Sequence, residues 1–337
     1  MESNSSDLLH IIPKNNTNIN VDKLEENKNY SSNETIVKVM DTKYTTHLKR
    51  SVCKKILGSG GFSIVKLFQC KNECEGRKIC DKLFVVKTLI RSNDQFMNLS
   101  EKEITRLCNK IFDTEFSICY NLDHPNLIKA IDMEPKSLSI IFEYNKGIDF
   151  IDILNNCVDK NTNKYLRYFD KFIDGIEYMH NNNIVHLDIK LENILLEKEV
   201  VKLIDFGTAK RITEDEMFIG RCGTEEYMPP EMHKTKYYNA KPVDIWCLGV
   251  VLYNIIYDYM PWECAKLSDV FFDAHVKYLE KYDNLNPRLF ESLTVFGYSK
   301  EQELLIFKLF MGMLHPIPEK RMNIEMIKKI FYELKLN

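Results

Sequence analysis

Two stretches in the first third of the chain have residue types suited to holding phosphate. In Leu57-Gly58-Ser59-Gly60-Gly61-Phe62-Ser63-Ile64-Val65 the small side chains let backbone N–H groups approach phosphate oxygens closely. A Rossmann turn opens a helix with a ribose-binding acid about 20 residues on, and a Walker loop needs Gly-Lys-Ser/Thr. Here a β-type run follows the glycines instead, which gives a hairpin flap. On these residues alone an ordinary Gly-rich hairpin reads equally well. The second stretch is Phe84-Val85-Val86-Lys87-Thr88, where one lysine ends an apolar strand segment. Such a lysine either snorkels to solvent or stays charged beside anions, and a nucleotide's phosphates plus one carboxylate would serve.

The elements that must carry these residues change character along the chain. Short β-type runs at residues 52–57, 64–68 and 83–89, separated by the glycines and by residues 71–82, predict an antiparallel meander. From about Tyr165 the period becomes helical, with Leu166, Phe169, Ile173, Ile176 and His180 on one face and further helical patterns over 243–257 and 301–314. A β-rich front and a helical back predict two lobes. No internal repeat at a solenoid period is found. Residues 1–46, rich in Asn, Ser, Thr and Lys, are expected to be a disordered extension, because they carry too little apolar surface to offset ordering entropy.

Composition narrows the classes. The 337 residues hold 46 Lys+Arg and 49 Asp+Glu, a net charge of −3, without a long basic run, so the electrostatic footprint of nucleic-acid binding is missing. The longest nearly apolar run, residues 247–256, falls short of the roughly 20 residues that span a bilayer and reads as a core helix. Met1-Glu2 and the ending Leu336-Asn337 indicate neither myristoylation nor prenylation. Ten cysteines without a regular framework are read as free thiols in a reducing compartment, hence a cytoplasmic chain, nuclear access being left open. Cys70, Cys74 and Cys80 invite a zinc reading, but a fourth ligand with suitable spacing is not evident, so ordinary thiols are expected.

The most specific signal is the pair of segments His186-Leu187-Asp188-Ile189-Lys190-Leu191-Glu192-Asn193 and Ile204-Asp205-Phe206-Gly207. Together with Pro229-Pro230-Glu231 and Asp244-Ile245-Trp246-Cys247-Leu248-Gly249 they resemble the eukaryotic protein kinases in order and spacing. The resemblance runs from about residue 48 to 337. It implies an α+β, bilobal protein-kinase-like fold, with a small antiparallel β-sheet lobe over 47–142 and a hinge plus larger helical lobe over 143–337. It implies a phosphoryl transfer from Mg-ATP to a protein hydroxyl, in which the protein supplies positioning and charge stabilisation.

The family's roles transfer residue by residue. Asp188 is the expected acceptor of the substrate hydroxyl proton, Lys190 neutralises the moving phosphoryl group, and Asp205 and Asn193 hold Mg²⁺ through oxygen. Lys87 holds the other phosphates. Its carboxylate partner is chosen among Glu101, Glu103 and Glu115. Glu115 stands nine residues before His124-Pro125-Asn126, which resembles the family's spacing, although the 28-residue interval from Lys87 then requires an insert before or within the helix. The flap residues Leu57, Gly58, Ser59, Gly60, Gly61, Phe62 and Ser63 cover the nucleotide. Val65, Val85 and Leu195 sandwich the adenine, Phe142 resembles the gatekeeper, and Glu143-Tyr144-Asn145 resembles the hinge. Asp149 reaches the ribose, and Glu192 lies beside it. Glu231 is expected to pair with Arg321.

Three departures from the family pattern stand out: Ser63 for the third glycine, Leu187 for the Arg before the catalytic Asp, and Gly220 at the usual activation phosphosite. In regulated relatives that Arg receives the segment's phosphate, so a chain lacking both is not expected to need phosphorylation there. Thr224, before Glu225-Glu226-Tyr227, is expected on the catalytic loop. Lys190 two residues after Asp188, with Thr224, resembles the serine/threonine type. Around Cys222-Gly223-Thr224 and Pro261-Trp262-Glu263 the chain resembles the calmodulin-dependent-like and cyclic-nucleotide-dependent-like groups, between which the residues do not decide. Glu192 and Asp149 would form an acidic patch favouring a basic residue upstream of the acceptor. A monomeric domain acting on a protein substrate is expected. The rival from another class, a nucleotide-binding pseudokinase scaffold, makes no demand for a base together with metal ligands.

Overall fold

The computed structural model describes residues 51–60, 62–71, 82–90, 100–156, 162–213, 216–235, 237–281 and 298–334. The N-terminal extension, Gly61, Cys74 and Cys80 therefore lie outside the described residues. The chain divides into two compact units, residues 51–123 with Ile128–Lys146, and His124–Leu127 with residues 147–334.

The first unit is built on a five-stranded antiparallel sheet of order β1-β2-β3-β5-β4: β1 Ser51–Ser59, β2 Ser63–Cys70, β3 Leu83–Leu89, β4 Ala130–Glu134 and β5 Ser139–Glu143. Alternation in β3 sends Phe84 and Val86 into a core with Phe68, Cys70 and Ile141. Each such buried side chain contributes about 1.5–3 kcal/mol. Lys87 is thereby left on the opposite face, between Val65 of β2 and Ile140 of β5. The meander is the expected one, but β1 runs on through Gly58 and Ser59, which pair with Val65 and Ile64. A register shift between Ile56 and Gly58 accompanies this, with the ladder carried past the first glycine.

Helix α1, Glu101–Asn121, starts at a capping box. Ser100 Oγ accepts from the Glu103 amide, while Glu103 Oε2 accepts from the Ser100 hydroxyl and from the Ser100 amide, and these last two bonds, the hydroxyl's first, lower the Glu103 carboxyl pKa. Its buried stripe is Cys108, Phe112, Glu115 and Cys119, a 4-3-4 spacing with one acid among apolar residues.

The second unit contains helices α2 Phe150–Asn156, α3 Thr162–Asn181, α4 Pro230–Lys234, α5 Lys241–Tyr257, α6 Val270–Lys281, α7 Lys300–Met313 and α8 Ile324–Glu333. Short ladders join β6 (Ile148–Asp149), β8 (Ile194–Glu197) and β9 (Val200–Leu203) into one sheet. β7 (Ile184–Val185) pairs with β10 (Lys210–Arg211), and β11 (Phe218–Ile219) with β12 (Tyr237–Tyr238). α5 holds the long apolar run and is buried from Val243 to Leu252. At Gly249 an added Cβ would stand 2.7 Å from Leu314 Cδ2, so glycine is what lets α5 approach the end of α7. Among the described residues no helix is long and apolar enough to cross a membrane.

On α6, His275 is buried against Trp262 and Phe272, and its Nε2–H donates to the Leu314 carbonyl at 2.8 Å. Burial, with the nearby His315, pushes its pKa from 6.5 down to about 4 despite that bond. Protonation therefore favours the unfolded chain. The stability gained by a neutral ring is complete above about pH 6.5 and is lost toward pH 4, roughly 3 kcal/mol in all. Thermal melts over that window are expected to fall more steeply for the wild type than for His275→Gln, which cannot titrate. Parallel curves would contradict this.

Candidate active site

In the first unit, Lys87 Nζ meets Glu115 Oε1 at 2.7 Å, with the two side chains 11% and 2% exposed. The carboxylate reaches this position from about four turns into the unbroken helix α1. The flap residues are Leu57 and Gly58 on exposed backbone, Ser59 at the end of β1, and Gly60, whose N–H donates to the Ser63 carbonyl at 2.9 Å. The Phe62 carbonyl accepts from the Ile90 amide at 2.8 Å. Val65 pairs with both Gly58 and Lys87. Phe142 is buried between Val85 and Ala130, and Glu143 and Asn145 follow it, partly buried.

In the second unit, the loop after β7 is shaped by Asp244, a fully buried acid on α5. Its Oδ2 accepts from the His186 amide at 2.9 Å and faces His180 Nε2 at 2.9 Å, while its Oδ1 accepts from the Leu187 amide at 2.8 Å. Leu187 adopts the left-handed conformation, φ 66°, which costs about 1–3 kcal/mol for such a residue and is offset by these bonds. The turn delivers Asp188 to a set of partners. Thr224 Oγ1 donates to its Oδ1 at 2.8 Å, and Lys190 Nζ lies 3.0 Å from its Oδ2. Lys190 also donates to Thr224 Oγ1 at 2.7 Å. Asn193 Nδ2 donates to the Asp188 carbonyl at 2.9 Å.

Gly223 explains how Thr224 comes so close. At φ 86° it lies against the loop, and an added Cβ would stand 2.5 Å from the Leu187 carbonyl oxygen. Gly223→Ala is thus expected to displace Thr224 from Asp188. The expected result is turnover at least tenfold below wild type with the melting temperature shifted by only a few degrees, and unchanged turnover would contradict it.

Asp205 also has positive φ, 62°, a conformation that aspartate tolerates, and its Oδ1 accepts from the Gly207 amide at 3.2 Å. Glu192 Oε2 accepts from the Tyr227 hydroxyl at 3.3 Å. Leu195 pairs with Asp149, whose pKa is raised by burial and by the charges of Asp152 and Glu192. His186 is completely buried beside Phe206, and burial holds its pKa low despite the carboxylates around it. Leu187 is buried, and Gly220 has φ 90°. Of the cysteines read for zinc, Cys70 is described and is a buried free thiol.

Glu231 and Arg321 form a two-pronged buried pair, Nη1–Oε1 and Nη2–Oε2 both at 2.7 Å. Asp244 was quoted in a motif but given no role by sequence reasoning. The signal for it is an acid in the first turn of α5, inside the otherwise apolar stretch 243–252.

A family model described as "Protein kinase domain" matches residues 51–332. A probable serine/threonine-protein kinase, MARK-C, from Dictyostelium discoideum is 34% identical over 65% of this chain and 27% of its own length. The serine/threonine-protein kinase KIN4 of Saccharomyces cerevisiae is 30% identical over 81% of this chain and 32% of its own length. CBL-interacting protein kinase 26 of Oryza sativa is 27% identical over 86% and 53%. The chain belongs to the protein kinase family. It spans between 27% and 53% of the length of these three relatives.

Proposed function

We propose that the chain transfers the γ-phosphoryl group of ATP to a serine or threonine hydroxyl of a protein. The observation that supports this best is the Asp188 carboxylate, held by Thr224 and Lys190 in a turn that Asp244 shapes. A fixed carboxylate can take the acceptor's proton, and the adjacent ammonium can stabilise negative charge on the group being transferred. Lys87, kept charged by Glu115, would bind the remaining phosphates. A scaffold without transfer is not favoured, since it would have no use for this combination.

Asp205 and Asn193 fit magnesium. Both offer hard oxygen donors, and Asn193 commits its amide nitrogen to Asp188, which turns the amide oxygen to the role of ligand. Bound there, Mg²⁺ would neutralise charge on the phosphates. For the acceptor sequence, the mutual repulsion of Asp149, Asp152 and Glu192 supports a basic residue upstream. Gly220 and the apolar, buried Leu187 support activity without phosphorylation at that position. We read the domain as a cytoplasmic monomer, in keeping with the free thiols of its described cysteines.

Labelled ATP with a generic basic protein tests the reading. Wild-type protein, treated with phosphatase and then freed of it, is expected to yield phosphoserine and phosphothreonine. Asp205→Ala and Lys87→Met should remain at background. Phosphotyrosine alone, or equal label in all three proteins, would overturn it.

A further inference from the structure

The segment that carries Thr224 has its own charge network, and no catalytic group takes part in it. Glu225 Oε1 accepts from Arg221 Nη2 at 3.1 Å and from Lys266 Nζ at 2.6 Å. The same Arg221 nitrogen lies 2.8 Å from His233 Nδ1 on α4. Lys266 sits on a loop wound around Asp269, whose carboxylate accepts from the amides of Glu263, Cys264, Phe271 and Phe272. The segment is thus tied on one side to a helix and on the other to a stiff loop.

Resting on the kinase reading above, we propose that Glu225 is a positioning residue. Its bridge between Arg221 and Lys266 holds Thr224 against Asp188, the task a phosphate on this segment would otherwise perform. Three features carry the inference. Thr224 stands at the N-cap of the turn Glu225–Tyr227 yet makes no side-chain capping bond, its hydroxyl being committed to Asp188 and Lys190. Whatever fixes the first residue of that turn therefore fixes Thr224. Glu225 is that residue, and its Oε1 accepts from both Lys266 and Arg221, the one partner these two share among the described hydrogen bonds. The bonds from Lys266 and Arg221 also draw its pKa down to about 2, which keeps the carboxylate ionised at neutral pH.

The three side chains are each about a third exposed, which makes the bridge sensitive to salt and worth little to global stability. An effect on activity without a matching effect on melting temperature separates positioning from a structural role. With phosphatase-treated protein and a fixed peptide, Glu225→Gln and Lys266→Met are each expected to lower kcat about five- to tenfold and leave the KM for ATP unchanged. The double variant should fall no further than either single one. Raising salt from 50 to 500 mM should lower wild-type kcat and leave the double variant flat. Hydrogen exchange at the amides of Cys222, Gly223 and Thr224 should quicken in both single variants. Independent, multiplying losses, or a raised peptide KM with unchanged kcat, would overturn the proposal. A wild type no more active than Asp188→Asn would refute the kinase reading, and the exchange rates alone would then decide the bridge: quickened exchange upholds it and unchanged exchange overturns it.

Discussion

Asp188→Asn is expected to lower kcat by about 10²- to 10⁴-fold, the span general-base catalysis supplies, while the protein folds and still binds nucleotide. Asparagine has nearly the same shape, so its oxygen can still accept from Thr224 at the position now 2.8 Å away. What it cannot do is take a proton or balance Lys190, whose ammonium lies 3.0 Å from the carboxylate it would lose. Steady-state kinetics with a peptide substrate check the loss. Nucleotide titration, followed by quenching of Trp246 and Trp262 fluorescence or by calorimetry, checks that binding survives. Loss of nucleotide affinity in step with kcat would mean that Asp188 acts in binding.

The second large effect is on stability. Arg321→Met is expected to cost about 3–5 kcal/mol, because it strands the buried Glu231 carboxylate. It also removes the donor to the Pro242 and His315 carbonyls and the guanidinium 4.8 Å from the Trp246 ring. For a domain of this size that is a fall in melting temperature of roughly 5–8 °C. Replacing both charges, as in Glu231→Leu with Arg321→Met, should cost less than Arg321→Met alone, since no unpaired charge remains. A double variant whose loss equals the sum of the two single losses would show the pair to be energetically uncoupled.

The sequence made different parts of the molecule legible for different physical reasons. The meander of β1 to β3 and helices α3 and α7 show their periods plainly, because each buries one face, and α5 shows as a long apolar run, buried from Val243 to Leu252. β4 and β5 gave no such signal. Buried acids Asp132 and Glu134 interrupt the first, and the second, at Ser139–Glu143, is a nearly continuous buried run that cannot be told from a helix segment by period. Helices α6 and α8 also went unread, the former with Val270 and Phe271 exposed at its start, which blurs the apolar face.

The candidate site divides in the same way. Lys87 could be singled out because a lysine in an apolar strand needs an explanation, and the structure gives it Glu115 as partner. Resemblance alone proposed Glu115, yet its place in the stripe Cys108, Phe112, Glu115, Cys119 is a physical signal for the same residue. Asp244 remained unread because nothing local tells where a buried acid on α5 will find its donors. They come from His180, His186 and Leu187, some 60 residues earlier in the chain. The Arg221–Glu225–Lys266 network was hidden for the same reason, since Lys266 lies 41 residues beyond its partner.

The central claim is that the Asp188 loop and Asp205 form a phosphoryl-transfer centre. It is tested most directly by a crystal structure with Mg²⁺ and a non-hydrolysable ATP analogue. The account predicts Asp205 and Asn193 oxygens at about 2.0–2.1 Å from magnesium, with Asp188 still bound to Thr224 and facing the terminal phosphoryl group. Magnesium held by other residues, or Asp188 turned away from the phosphates, would contradict it.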